Sequence, residues 1–426
     1  MDSSDQFLAS LGLDLEIHHR ITEAQDSSFR EKVLSQANRP EGMAYFDGVI
    51  ARAHGARVEE IDALRRAGAK FVGTFCIYVP EEIVLALDAV PQALCGGTAL
   101  SIPYAESILP RDICPLVKST IGMALAGACP YGPIEDIAVG ETTCDAKKKV
   151  WDILAEGGGF HVLELPQKKG PKDRELWLAE VRDFRTRMEE TTGKTLTADR
   201  LAAAVRLMNR KRRALAEFHD FRLADRPPVS GLDALVVTQG ALVDDPARFT
   251  ERLEALNAEL RARAASGDSV AASPSRPRRI MVSGCPSVIG NWKLHHLIET
   301  SGGLVVCDET CTGTRYFSRP VEERNGDLEA QLEALADRYL AIDCSCFTPN
   351  DERLASIASL VERFRVEGVV QHILQYCHTY HIEAARVAGT LKSRGVPSLV
   401  VETDYAEEDA ARLRTRIEAF LEGMRS

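Results

Sequence analysis

A chain of 426 residues with 52 Lys and Arg against 63 Asp and Glu carries a formal net charge of −11, and it has no like-charged run long enough to track a polyanion, which argues against nucleic acid as the main partner. The acidic start Met1-Asp2-Ser3-Ser4-Asp5 lacks a basic-then-apolar leader, and no window approaches the roughly 18 apolar residues of a membrane span, so a cytoplasmic, non-membrane protein is expected. The length leaves room for two or three domains, with two as the expectation. Eleven cysteines are the unusual feature. An odd number in a chain without a leader speaks against a disulfide framework and leaves core packing or metal ligation as their roles.

In chain order, residues 1 to 70 are rich in Ala, Arg and Glu, and Ile50, Ala53, Val58, Ile61 and Leu64 recur at helical spacing, which predicts a helical lead-in. The texture changes at Phe71-Val72-Gly73-Thr74-Phe75-Cys76, a β-rich apolar run, followed after Pro80 by a helix over Glu81 to Ala89 with acids in its first turn. A second strand is predicted from Pro91 to Cys95, a helix over 113 to 127, and a third strand over Ile137 to Gly140 that leads through Cys144-Asp145 into another helix. Gly157-Gly158-Gly159 follows a helix and reads as its cap and turn. Residues 171 to 277 carry charged amphipathic helices, Leu176 to Met188 and Leu201 to Phe221, and end in an exposed linker over Ser266 to Arg279. The α/β rhythm restarts over 278 to 426, with strands at Ile280 to Cys285, Leu304 to Cys307, Gly368 to Leu374 and Ser398 to Glu402, and a last helix from Glu407 to about Gly423. Strands alternating with helices predict α/β domains on parallel sheets, one over 71 to 170 and one over 278 to 426.

Ligands of parallel sheets bind where strands end and helices begin, and most of the cysteines fall there. Cys76, Cys114 and Cys144 occupy such loops in the first half; Cys285, Cys307 with Cys311, Cys344 with Cys346, and Cys377 occupy comparable positions in the second. Cys344 is placed directly after a strand end at Ile342-Asp343, while Cys95 and Cys129 read as structural. No Cys-x2-Cys pair is present, so a zinc ribbon or ferredoxin run is not expected, and ligands so scattered must be gathered by tertiary structure. A Cys-rich zinc site is the alternative metal reading. No Walker loop, Gly-x-Ser-x-Gly elbow or His-Glu-x-x-His is present, which leaves the chain without a recognisable nucleotide site.

Four motifs then stand together in order: Cys76-Ile77-Tyr78-Val79-Pro80-Glu81-Glu82, Cys114-Pro115-Leu116-Val117-Lys118-Ser119, Thr143-Cys144-Asp145-Ala146-Lys147-Lys148, and Val400-Glu402-Asp404-Tyr405 with Thr415-Arg416-Ile417-Glu418. They resemble the 2-hydroxyacyl-CoA dehydratase and benzoyl-CoA reductase superfamily from about residue 70 to the C-terminus. The resemblance implies two flavodoxin-like (Rossmann-like) parallel-sheet domains with additional helical segments, and a [4Fe-4S] cluster held between them by Cys76, Cys114 and Cys377. Cys144, Cys311 in Asp308-Glu309-Thr310-Cys311-Thr312-Gly313, and the pair Cys344-Ser345-Cys346 look like the double-cubane branch. That branch carries two [4Fe-4S] units joined by a bridging sulfide, on six cysteines: Cys76, Cys114, Cys377, Cys144, Cys311 and one of Cys344 or Cys346, with Cys344 preferred.

Such proteins are homodimeric reductases of small molecules, served by a separate ATP-hydrolysing activator with its own [4Fe-4S] cluster. The alternatives are the single-cluster subunit of a 2-hydroxyacyl-CoA dehydratase or benzoyl-CoA reductase, which needs a related second subunit, and a non-catalytic electron carrier. His378 and His381 flank a ligand and are the candidate proton donors, because imidazole titrates near neutrality; each also reads as a surface residue. Cys285 is a candidate cavity residue or a packed loop thiol, and Arg315 a candidate anion binder or a partner to a carboxylate. Exposed low-potential clusters imply oxygen sensitivity and an anaerobic cytoplasm.

Overall fold

The central strands are apolar runs without the polar alternation of a solvated sheet, as strands covered on both faces require. Two four-stranded parallel sheets result, seen in a computed structural model that describes residues 3–270, 276–324 and 326–424. The first sheet contains β1 (Lys70–Thr74), β2 (Ala89–Ala93), β3 (Ile137–Glu141) and β4 (Phe160–Leu163) in the order β2-β1-β3-β4. The second contains β5 (Arg278–Gly284), β6 (Gly303–Glu309), β7 (Gly368–Leu374) and β8 (Ser398–Thr403) in the order β6-β5-β7-β8. Both orders reverse direction between the first and third strand of the sheet, the switch point at which α/β sheets open a binding crevice.

Helices Leu15–Phe29, Met43–Arg52 and Ala56–Arg66 make up most of the expected lead-in. From Pro171 to Ser266 the chain is helical, and its helix Gly231–Ala241 is buried at all eleven positions, consistent with a sequence apolar on every side. The largest core cluster draws on β1, on these helices and on Tyr316, Tyr339 and Phe347 of the last third of the chain, so the first sheet, the helical region and the loops and helices beyond β6 share one interior, while the strands of the second sheet pack in clusters of their own. Inside it Arg212 pairs with Glu82 at 2.5 Å, and Tyr339 donates to the same carboxylate at 2.8 Å. The middle of the expected linker, 271–275, lies outside the described residues.

Three local expectations are corrected. The second strand runs over 89–93, so Cys95 lies in the loop beyond it. The strand end expected at Ile342-Asp343 is the turn after helix Leu328–Leu340; Ile342 is buried in the shared core, and a short apolar pair after a helix carries no periodicity to tell it from a strand. Cys307 sits within β6, fully buried among Met281, Val306 and Phe364, and is a core residue rather than a strand-end one. Strand β4 had no counterpart in the sequence reading: it is four residues long, at the sheet edge, and only Leu163 is buried.

Gly284 ends β5 with φ +133°, and a Cβ there would meet the His372 carbonyl oxygen at 2.1 Å. The close approach lets Cys285 N donate to that carbonyl at 2.9 Å, which fixes the loop after β5. Gly284→Ala is expected to lose about 1–3 kcal/mol, read as an earlier urea midpoint; an unchanged midpoint contradicts this. His372 itself is fully buried, its Nδ1 3.1 Å from the Cys285 carbonyl, and burial pushes its imidazole down to about 4. A basic group depressed on folding contributes stability above its unfolded value and loses it in acid, so stability is expected to fall between pH 6.5 and about 4, and to fall less in His372→Gln.

Candidate functional site

All strands of a parallel sheet end on one edge, and here the C-terminal edges of both sheets open on a cavity of about 520 Å³. Every cysteine except Cys307 lines it. The two halves supply thiols from matching places. Cys76 follows β1 and Cys285 follows β5; Cys95 follows β2 and Cys311 follows β6; Cys144 follows β3 and Cys377 follows β7. Cys114 and the Cys344/Cys346 pair precede the helix that leads to the third strand of each sheet, Pro115–Leu125 and Asp351–Arg363.

Within the cavity the thiols form two groups. In one, Cys76 hydrogen-bonds Cys311, Cys344 hydrogen-bonds Cys346, and all four lie within electrostatic reach of the buried Tyr78 hydroxyl, which donates to the Ile342 carbonyl at 3.2 Å. In the other, Cys377 hydrogen-bonds both Cys114 and Cys285, and Cys144 is near enough to feel the Cys377 charge. The structure thus sets Cys76 beside Cys311, not beside Cys114 and Cys377. Among the described residues no three His, Cys, Asp or Glu side chains converge on a single ion. A cubane, held at its corners, takes thiolates that stand farther apart, so the donor set fits iron–sulfur chemistry better than mononuclear zinc.

The second group is electrostatically prepared by the backbone. Cys114, Cys144 and Cys377 are the N-caps of helices Pro115–Leu125, Asp145–Ala155 and His378–Lys392, and the backbone N–H groups of the turn each begins act to lower its thiol pKa. Helix N-termini favour negative charge, whether on a thiolate or on an anionic cluster. Hydrogen bonds from Cys114 and Cys285 hold the Cys377 thiol well below its ordinary range, while their own thiols are pushed up. The Tyr405 hydroxyl, buried and unpartnered, lies within electrostatic reach of the same three sulfurs.

The first group relies on buried cations. Arg315, 4 % exposed, lies 4.0 Å from the Cys311 sulfur and grips Glu309 through Nε at 2.7 Å, so it meets a carboxylate and a thiol together. Cys344 is brought down to about 6, by the Cys346 hydrogen bond first and then by the Arg315 charge. Burial instead pushes Cys95 up to about 11, and its thiol donates to the Phe75 carbonyl at 3.3 Å. His378 is exposed and lines the cavity; His381 is exposed and does not. Cys285, read from sequence as either a cavity residue or a packed loop thiol, has features of both: it is buried and accepts from Leu374 N at 3.3 Å, and it lines the cavity beside Cys377.

Residues 76–424 match the family described as 2-hydroxyglutaryl-CoA dehydratase, D-component, and the match begins at Cys76 itself. The chain is 40% identical over 362 residues to "Putative dehydratase subunit YjiM" of Escherichia coli (strain K12), covering 84% of this chain and 92% of that protein. It is 22% identical over 373 residues to (R)-2-hydroxyglutaryl-CoA dehydratase, subunit beta, of Acidaminococcus fermentans, covering 84% and 93%. It is 20% identical over 343 residues to one of the subunits of benzoyl-CoA reductase from Thauera aromatica, covering 79% and 86%.

Lys147, one turn into the helix capped by Cys144, pairs with the fully buried Glu141 at the end of β3 and donates to the Phe75 carbonyl at 3.3 Å. Its charge lies near the Cys76 and Cys95 sulfurs. Removing one member of a buried pair strands the other, so Lys147→Met is expected to cost roughly 3–5 kcal/mol in urea unfolding. Adding Glu141→Gln should recover part of that loss; a single variant as stable as the parent contradicts the pairing.

Proposed function

Because the chain belongs to the 2-hydroxyacyl-CoA dehydratase and benzoyl-CoA reductase family, we propose that it is the iron–sulfur-carrying chain of an enzyme of that kind, delivering electrons to a substrate bound between its two sheets. The observation that carries this reading is the convergence of thiols from both sheets on one cavity, in two groups. Cys76, Cys311 and Cys344 make three sites in one group, and Cys114, Cys144 and Cys377 make three in the other. With Cys346 and Cys285 left as neighbours of these six, two sets of three match what a double cubane takes, two [4Fe-4S] units bridged by sulfide. Bound there, iron–sulfur centres supply single-electron transfer at low potential.

What the protein contributes is charge and shape. Three helix N-termini, Arg315 and Lys147 place positive potential around the thiolates. We assign proton delivery to His378, which lines the cavity and is open to solvent; His381 is one turn further along the helix, outside it. The reading includes a separate ATP-hydrolysing [4Fe-4S] activator as electron donor, and a homodimer as the working form. The relatives named as dehydratase subunits favour a second reading, in which the chain carries one [4Fe-4S] cluster and pairs with a different subunit to dehydrate a 2-hydroxyacyl-CoA.

Anaerobic iron and acid-labile sulfide determination separates the two. About eight irons per chain, with roughly half or all lost in Cys144→Ala, Cys311→Ala or Cys344→Ala, is the expected result, and Cys346→Ala is expected to retain them. About four irons, indifferent to those changes and lost in Cys76→Ala, supports the single-cluster reading. A protein purified anaerobically without iron overturns both.

A further inference from the structure

Tyr380 has no part in the function just proposed, yet its hydroxyl stands against the first thiol group. It lies in the first turn of helix His378–Lys392, 8 % exposed, with its oxygen 3.7 Å from the Cys344 sulfur. Arg315 Nη1 donates to the same oxygen. A guanidinium has donors only, so at Tyr380 it occupies an acceptor position and leaves the phenolic proton free to go to the sulfur.

Arg315 is held in that pose from behind. Its Nε bonds Glu309 at 2.7 Å and its Nη1 reaches the Gly284 carbonyl at 3.3 Å. Glu309 also accepts from Arg353 Nη2 at 2.9 Å and Ser283 at 2.7 Å, and Arg353 pairs with Glu383. Two guanidiniums and two carboxylates, each less than a tenth exposed, cancel in net charge, and the cationic end at Arg315 is the one that touches the thiol group. A neutral, interlocked network of this kind fixes the hydroxyl far more tightly than a surface contact would.

We infer that Tyr380, oriented by Arg315, donates its phenolic hydrogen bond to the Cys344 sulfur and thereby raises the reduction potential of the iron–sulfur centre which that sulfur holds. The inference rests on the iron–sulfur reading above. Reduction adds negative charge that spreads onto the ligand sulfurs, and a donor aimed at one of them stabilises the reduced state more than the oxidised one. Tyr380 is a positioning residue: it acts through the sulfur and needs no contact with substrate. Its backbone N–H acts on the Cys377 sulfur in the other group, and replacement of the side chain leaves that N–H in place.

The test is a mediated redox titration of Tyr380→Phe and the parent, prepared anaerobically with iron and sulfide determined on the same samples and the reduced centres followed by electron paramagnetic resonance. With iron content equal to the parent, the variant is expected to show about a tenfold lower reduced-to-oxidised ratio at fixed potential, which is about 59 mV lower for a one-electron couple. Where two steps are resolved, only one moves; where one is present, that one moves. An unshifted titration at equal iron, an equal shift of both steps, or loss of iron from the variant alone overturns the inference. Absence of iron from the parent protein strikes the iron–sulfur reading instead.

Discussion

A parallel sheet delivers the ends of all its strands to one edge, and a chain that turns from strand to helix there exposes backbone N–H groups that nothing inside the helix can satisfy. Here two such edges open on one cavity. The remaining features of the site depend on that arrangement. Thiols placed just after β1, β3, β5 and β7 share one cavity although some 300 residues separate the first from the last. The helical region between the sheets, centred on the buried helix Gly231–Ala241, and the Glu82–Arg212–Tyr339 contact keep the two edges in register.

Crowded thiols are electrostatically costly unless something answers their charge, and the two groups solve this differently. The group of Cys114, Cys144 and Cys377 uses the backbone: each is an N-cap, so the field comes from the helix itself and is independent of any side chain. The group of Cys76, Cys311 and Cys344 sits in loops without such helices and uses Arg315 and, near Cys76, Lys147, each matched by a buried carboxylate. On the double-cubane reading proposed above, two groups with different surroundings would differ in potential, which suits the stepwise movement of single electrons.

Much of this was legible in the sequence because it is local. Continuous apolar runs bounded by Gly or Pro gave the central strands, and Cys76, Cys144 and Cys377 could be placed by the strands that precede them. What was not legible depends on tertiary structure. Nothing in the spacing shows that Cys311 lies against Cys76 while Cys114 lies against Cys377, because the partners in each pair are more than 200 residues apart. The loop after helix Leu328–Leu340 has no periodicity, so Cys344 and Cys346 were assigned to a strand end that does not exist. Cys307 was misplaced because β6 runs two residues further than its apolar core suggests, through Asp308 and Glu309, whose charges are answered by His295, Arg222, Arg315 and Arg353. Tyr380 follows the same rule: as one aromatic in a His-rich turn it gives no sign of function until Arg315 and Cys344 are seen on either side of it.

The claim on which the account turns is that thiols from both sheets hold iron in the space between them. Anomalous diffraction at the iron edge from anaerobically grown crystals tests it directly. Iron peaks in the cavity, within bonding distance of sulfurs from both Cys76–Cys311–Cys344 and Cys114–Cys144–Cys377, are the predicted result. Iron bound by the thiols of one sheet alone, or found outside the cavity, would contradict it.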